Sequence, residues 1–212
     1  MRPYYTQDGI TIYHGDCREL LEELGKVDLV LTDPPYGISL KEHGRSGYNW
    51  NIDGDESQEL GQWFLDRANT LPTIAFASPM KPWDGKWRQY LVWDKGPTVG
   101  GGGDPTTCWK QSWELVQVRK TGALSGKRDE AVLRFHVTQR DYHHHPCQKP
   151  VPLLSYLINK AATPETVILD PFMGSGSTLR AAKNLGKKAI GIEINEAYCE
   201  IAAKRLEQLV LI

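Results

Sequence analysis

The order of apolar and polar positions along the chain predicts alternating short strands and helices. Seven apolar or β-branched runs have strand length, at 9–15, 27–33, 72–78, 89–95, 113–120, 166–172 and 188–194. Five segments space their apolar residues as helices do, at 16–25, 57–70, 150–162, 176–186 and 195–210, and Asn195 is placed to cap the last one. This alternation favours an α/β fold with a mainly parallel sheet.

Three polar or glycine-rich segments interrupt the pattern, at 37–57, 96–112 and 121–144. The 212 residues suffice for a single domain, 1–212, that carries these segments as loops. With 40% apolar and 24% charged residues, the composition is that of a soluble globular protein, and no apolar run has the length of a membrane span. The N-terminal residues lack the apolar core of a signal peptide. The four cysteines are scattered, which favours reduced thiols and a cytoplasmic location.

The net charge of −1 hides an uneven distribution. Residues 1–80 carry 6 Lys and Arg against 13 Asp and Glu, whereas residues 81–149 carry 12 against 7. A basic middle segment is suited to face a polyanion such as DNA, although an ordinary solvated surface has the same composition.

A glycine-rich turn follows the strand predicted at 166–172, where the sequence reads VILDPFMGSGST. Gly174 and Gly176 allow a tight turn, and the helix after it directs its N-terminus at a ligand. The next strand ends in Glu193, 19 residues beyond Gly174, and an acidic residue there is placed to bind ribose hydroxyls. The pattern indicates a nucleoside cofactor. A third glycine is expected for NAD, but Leu179 occupies that position.

A rigid corner follows the strand predicted at 27–33, where the sequence reads TDPPYG. An exocyclic amine on a nucleobase is a poor nucleophile, because its lone pair is delocalised into the ring. The Asp33 carboxylate and a carbonyl held by Pro34 could accept hydrogen bonds from the two amine N–H groups. This would favour the transition state for methylation of the amine, while Tyr36 stacks on the base. The alternative is a plain turn that ends a strand. These residues choose S-adenosylmethionine over NAD.

Three consecutive histidines, His143 to His145, suggest a metal site at first sight. Adjacent side chains point in different directions, and no second ligand pair of the H-x-x-x-H or C-x-x-C kind accompanies them. We therefore predict no metal.

Four motifs in a fixed order make the chain resemble the β-class DNA methyltransferases that modify adenine N6 or cytosine N4. DPPY comes first and DPFMGSGST about 140 residues later, which is the circularly permuted order of that class. The stretch HPCQKP at 145–150 is similar to the family's H-P-T-Q/E-K-P, with Cys147 in place of threonine. YHGDCREL at 13–20 resembles the family's G-D motif.

The resemblance implies a Rossmann-like fold of the class I methyltransferase type, with a mostly parallel sheet of seven strands, one of them antiparallel. In that scheme the strand at 113–120 is among the edge strands. The implied catalytic residues are Asp33, Pro34, Pro35 and Tyr36. The implied residues for S-adenosylmethionine include Asp16 at the adenine, Glu193 at the ribose and Lys149 near the carboxylate end. The full cofactor set is Asp16, Cys17, Lys149, Asp170, Pro171, Phe172, Gly174, Ser175, Gly176, Glu193 and Ile194.

A target base in duplex DNA must be flipped out before Asp33 reaches it. The loops at 37–57, 96–112 and 121–144 are candidates for reading DNA, although the first could equally be a lid. Candidate DNA contacts are Lys41, Arg45, Tyr48, Trp50, Arg128 and Arg140. The interval before HPCQKP is short for a recognition region, so we expect a short or relaxed target site, a homodimer or a specificity partner.

The sequence thus predicts a DNA amino-methyltransferase. Adenine N6 is favoured because cytosine enzymes of the resembled family more often have serine where this chain has Asp33. Cytosine N4 stays an alternative. A methyltransferase for RNA or protein is disfavoured by the permuted motif order, and a catalytically silent DNA-binding subunit is disfavoured by the intact Asp33, Gly174, Gly176 and Glu193.

Overall fold

The computed structural model describes residues 2–37, 57–96, 109, 111–120, 124–137 and 148–208. Most of the three predicted loops lies outside these ranges. So do five of the candidate DNA contacts, namely Lys41, Arg45, Tyr48, Trp50 and Arg140, and the three histidines. Among the described residues, no helix is long and apolar enough to cross a bilayer.

One sheet of nine strands forms the centre of the part of the chain that the structure describes. The strands are β1 (Tyr5–Gln7), β2 (Ile10–His14), β3 (Leu29–Thr32), β4 (Thr73–Ala77), β5 (Gln89–Asp94), β6 (Trp113–Arg119), β7 (Val132–Arg134), β8 (Val167–Asp170) and β9 (Lys188–Glu193). Their order across the sheet is β1-β2-β9-β8-β3-β4-β6-β5-β7. The central run from β2 to β4 is parallel throughout.

All seven predicted strands are present, and they form the contiguous block from β2 to β5. Within that block only β6 is reversed, since it pairs antiparallel with both β4 and β5. The expectation that the strand at 113–120 lies among the edge strands is wrong: β6 is inserted between two neighbours, which explains why four of its residues are buried. Strands β1 and β7 add one short strand at each edge, antiparallel to β2 and parallel to β5 respectively.

Within the described ranges, five α-helices correspond to the five predicted ones, and each is shorter than its apolar spacing suggests. They are α1 (Cys17–Leu20), α2 (Glu59–Arg67), α3 (Val151–Ala161), α4 (Ser177–Asn184) and α5 (Glu196–Glu207). Short 3₁₀ turns extend α1 and α2, at Leu21–Glu23 and Ala68–Thr70. The predicted cap is confirmed, because the Asn195 side chain accepts a hydrogen bond from the Ala197 N–H over 3.0 Å.

The sheet is buried on both faces, as a parallel sheet covered by helices must be. Leu29 and Leu31 of β3 point to one face, where α3, α4 and α5 pack through side chains such as Leu153 and Leu179. Val30 points to the other face, which is covered by α2 and the 3₁₀ segments. Because successive residues of β3 enter opposite cores, its four positions read as an uninterrupted buried run.

The strand order brings the sequence motifs together. Parallel strands present their carboxyl ends at the same edge of a sheet, and β2, β9, β8 and β3 are consecutive neighbours. Asp16, Glu193, Asp170 and Asp33 stand at or just beyond the carboxyl ends of these four strands. Four motifs that are up to 177 positions apart in sequence therefore meet along one edge.

Candidate active site

The corner after β3 is held from several sides. Asp33 accepts a hydrogen bond at Oδ1 from the Tyr36 hydroxyl. Pro34 is buried against α2, and a Cβ added at Gly61 of α2 would lie 2.9 Å from Pro34 Cβ. The corner ends at Gly37, whose φ of +65° favours glycine and whose carbonyl accepts a hydrogen bond from Lys81 Nζ over 2.6 Å. The proline pair and these contacts fix where Asp33 points.

Tyr36 forms one wall of the corner. Its ring lies 6.2 Å from the ring of Trp83 at an interplanar angle of 56°. Trp83 is itself fixed, because its indole N–H donates to the Phe76 carbonyl over 2.7 Å and its backbone is bound to both ends of the Gln117 amide. The aromatic ring next to Asp33 is thus supported by a rigid second ring.

A buried group of charges surrounds Asp33. The Lys149 ammonium lies 2.5 Å from Asp33 Oδ2 and 3.3 Å from Glu114 Oε2, and Lys95 Nζ lies 2.5 Å from the other oxygen of Glu114. Burial raises the pKa of Asp33 above its ordinary value; Lys149 acts against this shift and Glu114 adds to it. Burial opposes the charge of Glu114 as well, but Lys149 and Lys95 together hold the pKa of Glu114 below its ordinary value.

Asp170 connects the corner to the glycine turn. The Thr32 hydroxyl donates to Asp170 Oδ1 over 2.9 Å, and the same oxygen accepts the Phe172 N–H over 3.2 Å. Asp170 is almost fully buried, and this burial raises its pKa to about 7 despite hydrogen bonds from Thr178 and Thr32. Asp170 therefore lies behind the edge of the sheet, where it joins two strands and shapes the turn that follows.

The glycine turn is shaped by Glu193. One carboxylate oxygen of Glu193 accepts the Gly174 N–H over 3.0 Å, and the other accepts the Asn195 N–H over 2.8 Å. Gly174 and Gly176 both have positive φ, of +49° and +77°. The close approach at Gly176 is to α5, since an added Cβ would lie 2.7 Å from Ala202 Cβ. Gly176 thus serves helix packing, whereas Gly174 is the position at which Glu193 holds the turn.

The turn is anchored underneath by Ser175 and Arg205. Ser175 is buried, and the Arg205 guanidinium donates to its carbonyl oxygen over 2.6 Å and to its hydroxyl over 3.1 Å. The Ser175 hydroxyl also bonds to the Gln148 amide oxygen over 3.2 Å, which ties the turn to the segment that carries Lys149.

The end of this sheet edge that is farthest from Asp33 is formed by the segments after β2 and β9. Asp16 caps α1 by accepting the Arg18 N–H over 2.8 Å, and the Arg18 guanidinium, which binds the same carboxylate, lowers the pKa of Asp16. Cys17 is buried in the core, and burial raises the pKa of its thiol to about 12. The side chain of Ile194, in contrast, is 50% exposed beside Glu193.

The residues present fit S-adenosylmethionine. Glu193 offers a half-buried carboxylate, Ile194 an exposed apolar surface for an adenine ring, and Phe172 a partly buried ring packed edge-on to Phe64 at 5.8 Å. Gly174 adds no side chain to the turn, and its N–H donates to Glu193 over 3.0 Å. Polar groups for a ribose, apolar groups for a base and a bare backbone at a helix N-terminus are what a nucleoside with a charged tail requires.

Three site residues were missed by the sequence reasoning, and two of them, Glu114 and Lys95, form an ion pair. Both lie at strand ends, and the register pairs Glu114 with Trp93, two positions before Lys95. The available signal was weak: Glu114 is a charged residue at the start of an apolar run, and a buried charge requires a partner. Thr32 was also missed, although a polar residue at the end of a fully buried strand has to find a hydrogen bond.

Arg128 lies elsewhere. It precedes β7, which runs parallel to β5, and therefore stands near the amino ends of these strands, opposite to the edge that carries Asp33. There it lines a cavity of about 490 Å³ together with Tyr156 and Lys160 of α3. Arg128 is therefore separated from Asp33 by the length of the strands. The described residues contain no group of three or more His, Cys, Asp or Glu side chains that could hold a metal.

The fold and the glycine turn define an α/β protein of the kind that binds a nucleoside cofactor, with the Asp33 corner on the same sheet edge. A family model described as DNA methylase matches residues 66–204. The chain belongs to this family of DNA methylases, which modify adenine N6 or cytosine N4. The type II methyltransferase M.HinfI of Haemophilus influenzae is 45% identical over 257 residues, which cover 94% of this chain and 68% of that protein.

Two solved structures share the fold. A complex of M1.HpyAVI with S-adenosylmethionine has a TM-score of 0.66 at 22% identity, over 93% of this chain and 100% of that chain. The cytosine-N4-specific PvuII DNA methyltransferase has a TM-score of 0.70 at 18% identity, over 98% and 89%. At these identities the similarity establishes the fold alone. The predicted class I methyltransferase fold is thereby confirmed, and family membership confirms S-adenosylmethionine as the methyl donor and DNA as the substrate.

Proposed function

We propose that this protein transfers a methyl group from S-adenosylmethionine to the N6 amino group of adenine in DNA. The observation that carries the proposal is the position of Asp33. Its carboxylate stands at the end of β3, the strand next to β8, from which the glycine turn begins. The acceptor for an amine and the binding elements for a methyl donor are thus neighbours on one sheet edge.

S-adenosylmethionine, when bound, supplies an electrophilic methyl group on a sulfonium. The chain's own residues act on the amine. Asp33 and the Pro34 carbonyl accept the two amine N–H bonds, which concentrates the lone pair on nitrogen. As the N–C bond forms and the S–C bond breaks, the nitrogen becomes positively charged, and one of its protons passes to Asp33. Burial raises the pKa of Asp33, which makes it a better proton acceptor than an exposed carboxylate.

We assign the cofactor contacts by what each side chain has available. Glu193 binds the ribose hydroxyls, because it is a half-buried carboxylate and a carboxylate offers about four lone-pair sites. Ile194 and Phe172 pack against the adenine ring and the methionine chain, and Asp16 lies at the adenine end. Cys17 and Asp170 support the site from the core and touch no ligand. Lys149 acts at Asp33 instead of at the cofactor's carboxylate.

Adenine is preferred to cytosine because position 33 is aspartate. The cytosine-N4 alternative keeps some support, since an enzyme named for that reaction shares the fold. The decisive experiment incubates the protein with labelled S-adenosylmethionine and duplex DNA, RNA or protein, then digests the products to nucleosides or amino acids. N6-methyladenine is the expected product. If N4-methylcytosine is found instead, the target base is cytosine. Label found only in RNA or protein would refute the proposal.

The Asp33→Asn variant provides the matched test of the catalytic assignment. Asparagine has the same shape, but its amide cannot take up the amine proton. We expect a loss of single-turnover rate of roughly 100-fold or more, with an unchanged Kd for S-adenosylmethionine. Normal methylation by this variant would refute the role of Asp33, whatever base is modified.

We further propose a short target sequence or a homodimer, and, by analogy with the type II relative, a role in protecting DNA from restriction. The proposed DNA contacts are Lys41, Arg45, Tyr48, Trp50 and Arg140. Sequencing of methylated positions gives the target length, and light scattering with and without DNA gives the oligomeric state. A long asymmetric target bound by a monomer would contradict both proposals.

A further inference from the structure

Glu114 has an unusual environment for a carboxylate that no recognised motif contains. It lies at the second position of β6, and its side chain is only 16% exposed. Oε1 is bound by Lys95 Nζ at 2.5 Å, whereas Oε2 is buried and has no hydrogen-bond partner within the described part of the chain. A buried acceptor left without a hydrogen bond is costly, so its retention calls for a physical reason.

The Lys149 ammonium faces this oxygen and suggests the reason. It lies 3.3 Å from Glu114 Oε2 and 2.5 Å from Asp33 Oδ2, so that it stands between two carboxylates and close to one of them. The aromatic rings of Tyr36, Phe76 and Trp93 lie 5.7, 5.1 and 6.0 Å from Nζ. Aromatic faces attract a cation without fixing it to one atom. A small movement of the flexible lysine end therefore transfers it from one carboxylate towards the other.

Such a movement matters because both oxygens of Asp33 are engaged. Oδ1 accepts the Tyr36 hydroxyl and Oδ2 faces the Lys149 ammonium. An ammonium in close contact reduces the ability of a carboxylate to attract a proton from another donor. A target amine that gives its proton to Asp33 competes directly with Lys149.

We propose that Glu114 is a positioning residue for methyl transfer: it takes over the Lys149 ammonium when the target amine binds, and thereby leaves Asp33 as the proton acceptor. The inference rests on the proposed function of Asp33. Charge is conserved in the exchange, since two carboxylates and two ammonium groups face one another before and after it. Lys95 binds Glu114 Oε1 and thereby keeps Glu114 Oε2 directed at Lys149.

The charges around the pair set the expected pH dependence. Lys95 and Lys149 face Glu114, and Lys149, Glu114 and Tyr36 face Asp33, with Asp170 behind it. After burial and Lys149, Glu114 is the next influence on Asp33, and it raises the pKa of that carboxyl. Removal of the Glu114 charge lowers the pKa of Asp33, because Lys149 then pairs with Asp33 alone. The acid limb of the rate profile therefore moves to lower pH while the maximum rate falls.

The test compares Glu114→Gln with the wild type in single-turnover methylation of duplex DNA over a range of pH. We expect the maximum rate to fall roughly tenfold or more and the acid limb to move to lower pH, with unchanged Kd for S-adenosylmethionine and for DNA. Glu114→Asp keeps the charge and should retain much of the wild-type profile. Glu130→Gln is the matched control, because Glu130 also pairs with a cation, Arg134 at 2.9 Å, but on an exposed part of the chain.

A second measurement does not depend on activity. Protein labelled with ¹³C at the aspartate carboxyls reports the titration of Asp33 directly, with Asp33→Asn to assign the signal. The pKa of Asp33 should be lower in Glu114→Gln than in the wild type and unchanged in Glu130→Gln. If Glu114→Gln does not fold, the charge-balanced double variant Lys95→Met with Glu114→Gln takes its place.

The two proposals fail separately. A wild type that methylates no DNA refutes the proposed function, and the carboxyl titration still decides whether Glu114 controls Asp33. A wild type that methylates DNA while Glu114→Gln keeps the same acid limb and the same Asp33 titration refutes the positioning role. A uniform loss of rate with an unmoved pH profile also refutes it, because that result indicates a merely structural residue.

Discussion

Thr32 donates a hydrogen bond from Oγ1 to Oδ1 of Asp170 over 2.9 Å, and this bond joins the two halves of the candidate active site. Thr32 is the last residue of β3, directly before Asp33, and Asp170 is the last residue of β8, directly before the segment that leads to the glycine turn. Both side chains are buried. The distance between the amine corner and the cofactor turn is thus fixed by adjacent strands and by a side-chain bond at their ends.

Replacement of Thr32 by valine tests this connection. Valine keeps the branched shape and removes the hydroxyl, so that a buried carboxylate loses one donor. We expect the free energy of unfolding at pH 8 to fall by about 1.5–3 kcal/mol, as for a hydrogen bond to a charged group. Thr73→Val is the control, because its hydroxyl donates to the Leu71 carbonyl over 3.1 Å and its loss should cost about 0.5–1.5 kcal/mol. Equal losses in urea unfolding would contradict a special role for the bond.

Asp170 makes stability depend on pH in an identifiable direction. Burial raises its pKa to about 7, above the ordinary value of 3.8, so the folded protein keeps a proton that the unfolded chain has lost. This contribution to stability is complete below pH 4 and is lost as the pH rises to about 7. Asp170→Asn does not titrate. Relative to the wild type, its free energy of unfolding should therefore improve steadily between pH 4 and 7 and stay constant above that range.

Urea unfolding at several pH values measures this difference, and Asp129→Asn provides a contrast. Lys160 and Tyr156 hold the pKa of Asp129 below its ordinary value. Its contribution is present above pH 4 and is lost as the pH falls, which is the opposite direction. A difference between Asp170→Asn and the wild type that does not vary with pH would show that Asp170 does not carry a raised pKa.

The sequence predicted those parts of the fold that rest on local pattern. β3 was predicted from its apolar run. Such a run is visible in the sequence because all four residues of the strand are buried. β1 and β7 were missed because each has only three residues, which are too few to show a strand period in the sequence. Asp33 and Glu193 were found through neighbouring prolines and glycines. Glu114 was not, since only the insertion of β6 between β4 and β5 brings it to Lys149.

Gly61 tests whether the position of Pro34 matters for catalysis. A Cβ at Gly61 would lie 2.6 Å from Trp83 Cη2 and 2.9 Å from Pro34 Cβ, so Gly61→Ala must displace the corner, α2 or the indole. We expect stability to fall by about 1–3 kcal/mol, as in overpacked cores, and the single-turnover rate to fall as well. The Kd for S-adenosylmethionine should not change. Gly25→Ala is the control, because its Cβ would meet nothing within 4 Å. A stable, fully active Gly61→Ala would mean that the corner tolerates movement.

Glu193 should control cofactor binding in two ways, by contacting the ribose and by shaping the glycine turn. A single substitution tests both. Glutamine keeps one acceptor but places an NH₂ group against the N–H of Gly174 or Asn195. We expect Glu193→Gln to weaken binding of S-adenosylmethionine in calorimetry by about 1.5–3 kcal/mol, or roughly 10- to 150-fold. Glu196→Gln is the neighbouring control on the exposed first turn of α5. Unchanged affinity in Glu193→Gln would refute both the ribose contact and the role of Glu193 in shaping the turn.

Gly176 allows the cost of a left-handed backbone to be separated from the cost of a close contact. Its φ is +77°, and an added Cβ would lie 2.7 Å from Ala202 Cβ on α5. Gly186 has a similar φ of +62°, but its Cβ would meet nothing within 4 Å. Gly186→Ala should therefore cost only the conformational term, about 1–2 kcal/mol. Gly176→Ala should cost a further 1–3 kcal/mol, approximately, from overpacking.

Ala202→Gly in the Gly176→Ala background completes the cycle, because it removes the overlapping atom on α5. Ala202→Gly alone should cost about 1 kcal/mol, because it places a glycine inside a helix. The difference between the double variant and Ala202→Gly alone should approach the cost seen in Gly186→Ala. Recovery identifies Gly176 as a packing position, whose effect on cofactor affinity is indirect and returns with stability. No recovery would mean that the turn itself, and not its contact with α5, requires glycine, and Gly176 would then belong with Gly174 on the ligand side of the turn.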